Sequence, residues 1–139
     1  MTIELPTLGG VFRYPYLWTH QRDKNLDHPK LRPACMMFEI ARPGGDAMIA
    51  IVAISDLRNP DSGACIEIPE TEKLRAGLDE FRKAYVHLNE YNIDRKHASS
   101  TFNSRLPVLG RFSKPFFIKL SQALAANIRM SRATRIDRI

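Results

Sequence analysis

An arginine followed by a proline directly precedes an almost wholly apolar segment, and the arginine side chain is a candidate for binding or catalysis. Arg32 carries a planar guanidinium with five N–H donors, which suits phosphate or carboxylate oxygens. Pro33 fixes the backbone beside it, and residues 34–40 read as a buried strand. Two interpretations stay open: Arg32 is a solvated flank, or the strand is a rigid mount that holds Arg32 at a groove.

The residues that most often bind metals or act as nucleophiles are few and widely spaced. Cys35 and Cys65 lie in apolar segments, where a free cysteine behaves as a small hydrophobic residue. A disulfide or a reactive thiol is the alternative. The four histidines, which lack a metal-ligand spacing such as His-x-x-x-His, are His20, His28, His87 and His97. We therefore expect no metal and no other cofactor.

Length and charge limit the class of protein. The chain has 139 residues and a formal net charge of +6, which suits a single domain with an anionic partner such as nucleic acid, an acidic protein or a membrane surface. No apolar run approaches the roughly 18 residues needed to cross a bilayer. The first ten residues lack the basic and apolar regions of a signal peptide. These features predict a cytoplasmic protein.

Short segments of β-forming residues dominate the first two thirds of the chain. Residues 11–18 favour an edge strand interrupted by Pro15, and residues 20–30 form a long polar loop. The apolar runs 34–40 and 47–55 flank a Pro-Gly-Gly turn and predict a hairpin. Two alternating segments, 64–69 and 83–92, predict further strands. In the second, His87 and Asn89 are expected on the face opposite Val86 and Leu88.

The period of the hydrophobic pattern changes near the end of the chain. Ser113 is expected to cap a helix over residues 114–130, with Pro115 in its first turn. The stripe Phe117, Leu120, Leu124 and Ile128 is expected to face a β core. Residues 129–139 carry an arginine at every third position and read either as a solvated basic tail or as an RNA contact. The fold class predicted is α+β, mainly β: a small barrel or strongly bent sheet with a C-terminal helix.

The order of these features resembles the MazF/PemK family of toxin endoribonucleases. The resemblance rests on a Gly-Val-aromatic opening strand, a polar loop, Arg-Pro before an apolar strand, and a strand ending in "AIS". It continues through "IEIPE", "GLDEFRKAYVHLNEYNID" and "LGRFSKPFFIKLSQAL". It covers residues 10–128 and lies in the order and spacing of short motifs, none of which is specific by itself.

This resemblance implies a fold, an activity and partners. The fold would be an SH3-like barrel of five to seven strands with a C-terminal helix, in a homodimer. The protein would be a toxin of a toxin–antitoxin pair that cuts single-stranded RNA without a metal. An acidic antitoxin would neutralise it, and DNA would be a further partner through the antitoxin complex; no membrane is expected.

The resemblance also assigns site residues. The family's catalytic arginine and strand-ending Thr or Ser fall on Arg32 and Ser55. His87 is added as a third catalytic candidate because the strand that carries functional residues in the family reads "VHLNEYN" here. The acid that follows the opening glycine in the family is missing, since the chain reads Gly9-Gly10-Val11. The residues predicted to contact RNA are Trp18, Arg22, Lys24, His28, Lys30, Asn89 and Asn92.

The residue types suffice for the chemistry of RNA cleavage by the 2′-hydroxyl. That reaction needs a proton acceptor and hydrogen-bond donors near the phosphate oxygens. Arg32 and Ser55 are donors, and His87 exchanges protons near neutral pH. Four aromatic residues offer stacking faces for unpaired bases, namely Tyr14, Tyr16, Trp18 and Tyr91. The alternative hypotheses are a non-catalytic SH3-like module that binds nucleic acid or protein, and a purely structural protein.

Overall fold

The computed structural model describes residues 5–21 and 29–138. Eight strands and two helices follow one another along the chain. The strands are β1 Gly10–Tyr14, β2 Arg32–Ile40, β3 Met48–Ser55, β4 Cys65–Glu67, β5 Tyr85–His87, β6 Glu90–Arg95, β7 Val108–Arg111 and β8 Thr134–Asp137. The helices are α1 Glu70–Arg75 and α2 Lys114–Arg129, and a 3₁₀ turn spans Thr19–Gln21. None of the helices described is long and apolar enough to cross a membrane.

All eight strands belong to one sheet. Its main path runs β4-β5-β3-β2-β1-β7, and β6 lies between β3 and β8. Every pairing is antiparallel except that of β6 with β8, which is parallel. The sheet pairings among the described residues do not close into a barrel, since β4, β7 and β8 each have a single neighbour. The mainly β architecture with a C-terminal helix is thus confirmed.

The central hairpin of β2 and β3 is buried on both faces. One face packs with α2 through Cys35, Val52 and Leu120. The other face packs against the aromatic residues of β1 and Phe102, and includes Ala34 and Ile51. A strand covered on both faces needs apolar residues at every position. This is why residues 34–40 and 47–55 lack alternation, and the predicted hairpin is confirmed.

One irregularity in the sheet shapes the region next to β3. Ile54 pairs with Val86 of β5, and Ile51 pairs with Asn92 of β6. The two pairs are three residues apart on β3 but six residues apart on the neighbouring segment. That segment therefore bulges between β5 and β6. A bulge re-aims the side chains it contains. The predicted continuous strand over residues 83–92 is therefore wrong, and the break falls at Leu88 and Asn89.

Helix α2 begins as the sequence predicts, but its buried face is shifted slightly. The Ser113 side chain accepts a hydrogen bond from the Phe116 backbone N–H, and Pro115 lies in the first turn. The buried side chains include Phe116, Leu120 and Leu124, whereas Phe117 and Ile128 are only partly buried. The expected stripe is correct at its centre and off by one residue at each end, where Phe116 and Asn127 are the buried residues.

Three further features differ from what the sequence pattern indicates. The first strand ends at Tyr14 rather than at residue 18, because the chain turns after Pro15. Helix α1 was not predicted, since six residues are too few to show a helical period. Strand β8 falls within the segment expected to be a tail, and its Ile136 is 1% exposed. The local pattern does not indicate β8, because Ile136 is the only buried residue of this strand.

Candidate functional site

The ends of three strands and the segment after β1 line one cleft of about 520 Å³. Arg32 starts β2, Ser55 ends β3 and His87 ends β5. Of the other predicted residues that the structure describes, Trp18 and Asn89 also face this cleft. Residues far apart in sequence thus meet at one place, and the three residues predicted to be catalytic are among them.

Strand register brings Arg32 close to Ser55. Ala34 of β2 pairs with Ala53 of β3, and continuing the antiparallel register by two residues sets Arg32 opposite Ser55. On its other side Arg32 pairs with Tyr14 of β1. The arginine therefore stands on a strand held from both sides, which limits the movement of its backbone. Among the described residues no carboxylate forms a salt bridge with its guanidinium.

Ser55 and His87 form a hydrogen-bonded pair. The Oγ atom of Ser55 lies 2.7 Å from Nε2 of His87. The same Oγ accepts a hydrogen bond from the Leu57 backbone N–H at 3.2 Å. The hydroxyl proton can point at the Leu57 carbonyl at 3.4 Å, or at Nε2 when the imidazole carries its proton on Nδ1. The pair can then pass a proton between oxygen and nitrogen.

His87 is held in a desolvated position. Its side chain is buried, with an exposed fraction of 7%. The rings of Trp18 and His87 pack edge to face, with a centroid distance of 5.3 Å. Burial disfavours the charged imidazolium, so it lowers the pKa of His87 below its ordinary value of 6.5. The imidazole is therefore neutral at physiological pH and available as a proton acceptor. Burial is the cause of this shift.

The position of Trp18 depends on buried polar contacts between its segment and β6. The side-chain amide of Asn92 accepts from the Leu17 N–H at 2.9 Å and donates to the Leu17 carbonyl at 2.8 Å. A carboxylate oxygen of Glu90 accepts from the Tyr16 hydroxyl and from the Thr19 N–H, both at 3.1 Å. These bonds fix the backbone on either side of Trp18 and so set its ring against His87.

The residues predicted to contact RNA differ in where they lie relative to the cleft. Trp18 and Asn89 line the cleft. Asn92 does not, because its side chain is fully buried and both its amide groups are bonded to Leu17; the prediction of an RNA contact there is wrong. Lys30 is exposed but is not part of the cleft lining. Arg22, Lys24 and His28 lie outside the described residues.

Only one of the four aromatic residues proposed for base stacking faces the cleft. Tyr14 and Tyr16 are completely buried and Tyr91 is 8% exposed, so their faces are not open to a base. Trp18 is half-buried, and its ring stacks on His20 at 6.2 Å with an angle of 19° between the planes. Among the described aromatic residues, Trp18 thus lines the cleft together with His20.

Sequence reasoning missed several residues of the cleft. The segment after β3 contributes Asp56, Arg58 and Asn59, and Glu90 and Gln21 face it from other sides. Arg58 is exposed and adds a second cation beside Arg32. The carboxylates of Asp56 and Glu90 offset the two arginines in formal charge. The polar run that follows "AIS" was the available signal, because a loop that leaves a strand next to a candidate residue must border the same site.

The described residues contain no group of three or more His, Cys, Asp or Glu side chains that could hold a metal ion. Cys35 is buried and Cys65 is partly buried, and both are free thiols. No family model matches the chain, and no curated protein matches it with significance.

Proposed function

We propose that this protein is a MazF/PemK-like endoribonuclease that cuts single-stranded RNA through attack by the ribose 2′-hydroxyl. The observation that carries the proposal is the meeting of Arg32, Ser55 and His87 in one cleft, with Ser55 Oγ 2.7 Å from His87 Nε2. A proton acceptor and two kinds of hydrogen-bond donor are the groups that this reaction needs.

In the proposed reaction the neutral imidazole of His87 acts as the general base. Its Nε2 takes the proton of the 2′-hydroxyl, and the 2′-oxygen attacks the adjacent phosphorus. The bond from phosphorus to the 5′-oxygen breaks, and water protonates that leaving oxygen. The products are a 2′,3′-cyclic phosphate and a 5′-hydroxyl end, so no metal is needed to activate a water nucleophile.

Arg32 and Ser55 would stabilise the phosphate as charge develops on it. The guanidinium offers parallel N–H donors to two phosphate oxygens. The Ser55 hydroxyl offers one donor, and it turns from Nε2 to a phosphate oxygen when the 2′-hydroxyl takes its place at the imidazole. Trp18 offers a stacking face for a base next to the cut, which favours an unpaired strand.

The remaining parts of the proposal concern fold and partners. The bent sheet and α2 would correspond to the SH3-like barrel and C-terminal helix of the family. The protein would act as the toxin of a pair, as a cytoplasmic homodimer, neutralised by an acidic antitoxin and reaching DNA through the antitoxin complex. The net charge of +6 supports acidic partners. Among the described residues β7 has a single neighbouring strand, and Val108 on it is 60% exposed, which supports a dimer.

The test is incubation of the purified protein with single-stranded and duplex RNA of the same sequence, with EDTA or with magnesium. We expect cleavage of the single strand in EDTA, cyclic phosphate ends, and no cleavage where 2′-deoxyribose replaces the ribose at the cut. Cleavage that requires magnesium and proceeds through 2′-deoxyribose would overturn the mechanism. Tight RNA binding without turnover would favour the non-catalytic module.

A further inference from the structure

A second cavity of about 480 Å³ adjoins the cleft and shares Asn89 with it. Its other walls come from the loop before β4 and from the end of α2, and they include Asp61, Ser62, Gly63, Asn127 and Arg132. A ligand that occupies both cavities must pass Asn89. A single strand of RNA can occupy both cavities, because successive nucleotides can enter successive pockets.

Asn127 presents an unused acceptor to this cavity. The side chain is 8% exposed, and its amide nitrogen donates to the carbonyl oxygens of Gly63 at 3.0 Å and Leu88 at 2.8 Å. These two acceptors fix the orientation of the amide and use both of its hydrogens. No donor among the described residues bonds to Oδ1 of Asn127, so this oxygen can accept a hydrogen bond from a ligand.

Arg132 is brought to the same cavity by the way α2 ends. The chain leaves the helix through Ser131, whose φ of 55° lies in the left-handed region. The Arg132 backbone N–H then donates to the Asn127 carbonyl at 2.7 Å. This turn folds Arg132 back over the helix end, so that its side chain lines the cavity together with Asp61.

The chemistry of the walls suits a base better than a phosphate. Asp61 and Arg132 cancel in formal charge, so the cavity has little net attraction for an anion. The acceptors are the Asp61 carboxylate and Asn127 Oδ1, and the guanidinium of Arg132 is the donor. Guanine has two neighbouring donors, N1–H and N2–H₂, and two neighbouring acceptors, O6 and N7, of which the acceptors are the usual partners of arginine.

We propose that this second cavity is a guanine-reading subsite for a nucleotide next to the cut, with Asp61 and Asn127 accepting from the base and Arg132 donating to it. The proposal rests on the proposed function. It adds a base preference that Arg32, Ser55 and His87 do not supply, because those residues address the phosphate and the 2′-hydroxyl.

Cleavage of a randomised single-stranded RNA pool, read by sequencing of the product ends, tests the base preference. For the wild type we expect guanine to be enriched at one position adjacent to the cut. Asp61→Asn and Arg132→Gln should each reduce that preference by about 5- to 150-fold, the range for loss of one good base contact. Asp79→Asn and Arg129→Gln are matched controls, because these exposed residues lie outside both cavities, and they should keep the preference.

A binding measurement separates failure of the subsite from failure of the proposed function. Short oligonucleotides with 2′-deoxyribose throughout and one guanine or adenine are titrated against the wild type and Asp61→Asn, with fluorescence anisotropy as the readout. Tighter binding of the guanine strand by the wild type alone supports the subsite even if no RNA is cut. Cleavage with equal use of all four bases, or equal affinity for both strands, overturns the subsite and leaves the proposed function standing.

Discussion

The Oγ atom of Ser55 lies 2.7 Å from Nε2 of His87, although 32 positions separate the two residues in the chain. The contact follows from the pairing of β3 with β5, in which Ile54 lies opposite Val86 and Ser55 opposite Tyr85. His87 then comes directly before the bulge that separates β5 from β6. The ends of two paired strands therefore hold a hydroxyl and an imidazole at hydrogen-bond distance, and Leu57 and Trp18 contact this pair from two adjoining segments.

Replacement of Arg32 by alanine should reduce RNA cleavage more than replacement of Ser55 by alanine. Loss of one hydrogen-bond donor to a transition-state oxygen costs about 10²–10³ in rate, and Arg32→Ala removes a fixed charge as well. Single-turnover cleavage rates measure both effects. Arg105→Ala is the control, since Arg105 is exposed and lies outside the cleft. An Arg32→Ala protein with the wild-type rate would show that the site is wrongly assigned.

The cleavage rate should fall as the pH is lowered through the pKa of His87. Because burial lowers that pKa below 6.5, the acidic limb of the pH–rate profile should lie below 6.5. His87→Gln should lose the limb and most of the rate, because the amide keeps a hydrogen bond to Ser55 but cannot take a proton. If this variant retained the limb, proton transfer would belong to another group.

The same shift predicts how stability depends on pH. Between the lowered pKa of folded His87 and 6.5, the unfolded chain binds more protons than the folded one, so the free energy of unfolding falls as the pH falls through this window. This contribution is fully present above 6.5. Denaturant unfolding of wild type and His87→Gln at several pH values measures it, and the variant should show a shallower dependence. Equal dependence in the two proteins would contradict a buried neutral imidazole.

Replacement of Trp18 by alanine should have two effects that are measured separately. It removes a stacking face, which costs about 1–3 kcal/mol of binding per base. It also exposes His87 to water, so the pKa of His87 should rise toward 6.5, as followed by NMR titration of the imidazole. Trp18→Phe keeps an aromatic ring and should retain much of both properties. An unchanged His87 pKa in Trp18→Ala would show that other groups bury the imidazole.

Asn89 and Asn92 lie three residues apart and should respond differently to alanine. Asn92→Ala leaves the Leu17 N–H and carbonyl without partners, and a buried unsatisfied group costs about 1–3 kcal/mol. The loss should appear in the free energy of unfolding, measured with denaturant. Asn89→Ala should leave stability within about 0.5 kcal/mol of wild type and weaken binding of RNA. Equal stability of the two variants would contradict the structural role of Asn92.

The end of the chain should contribute to stability. Ile136→Ala removes the buried side chain that anchors β8, and a change from Ile to Ala in a core typically costs about 2–5 kcal/mol. Thermal or denaturant unfolding checks this, with the exposed Thr134→Ala as the control. If Ile136→Ala had no effect, the segment would behave as the solvated tail that its arginines suggest.

The sequence by itself determined the elements whose pattern reflects only local surroundings. The hairpin of β2 and β3 was readable because two long apolar runs flank a Pro-Gly-Gly turn. Helix α2 was readable because a serine cap and a proline precede a 3.6-residue period. Arg32 and Ser55 were brought together only by the resemblance to the MazF/PemK family, and the antiparallel register of the hairpin then sets the start of β2 opposite the end of β3.

The tertiary structure decided what depends on contacts between distant segments. Alternation over residues 83–92 correctly set His87 and Asn89 on the face opposite Val86 and Leu88, but it suggested one continuous strand, whereas the strand breaks at Leu88 and Asn89 and Asn92 beyond the break is buried. Nothing local distinguishes Asn89 from Asn92, because burial is decided by the Leu17 backbone, 75 positions away. For the same reason Trp18 lies half-buried at the cleft while Tyr14 and Tyr16 are in the core, and the arginine-rich segment forms a strand through its pairing with β6 and the burial of Ile136.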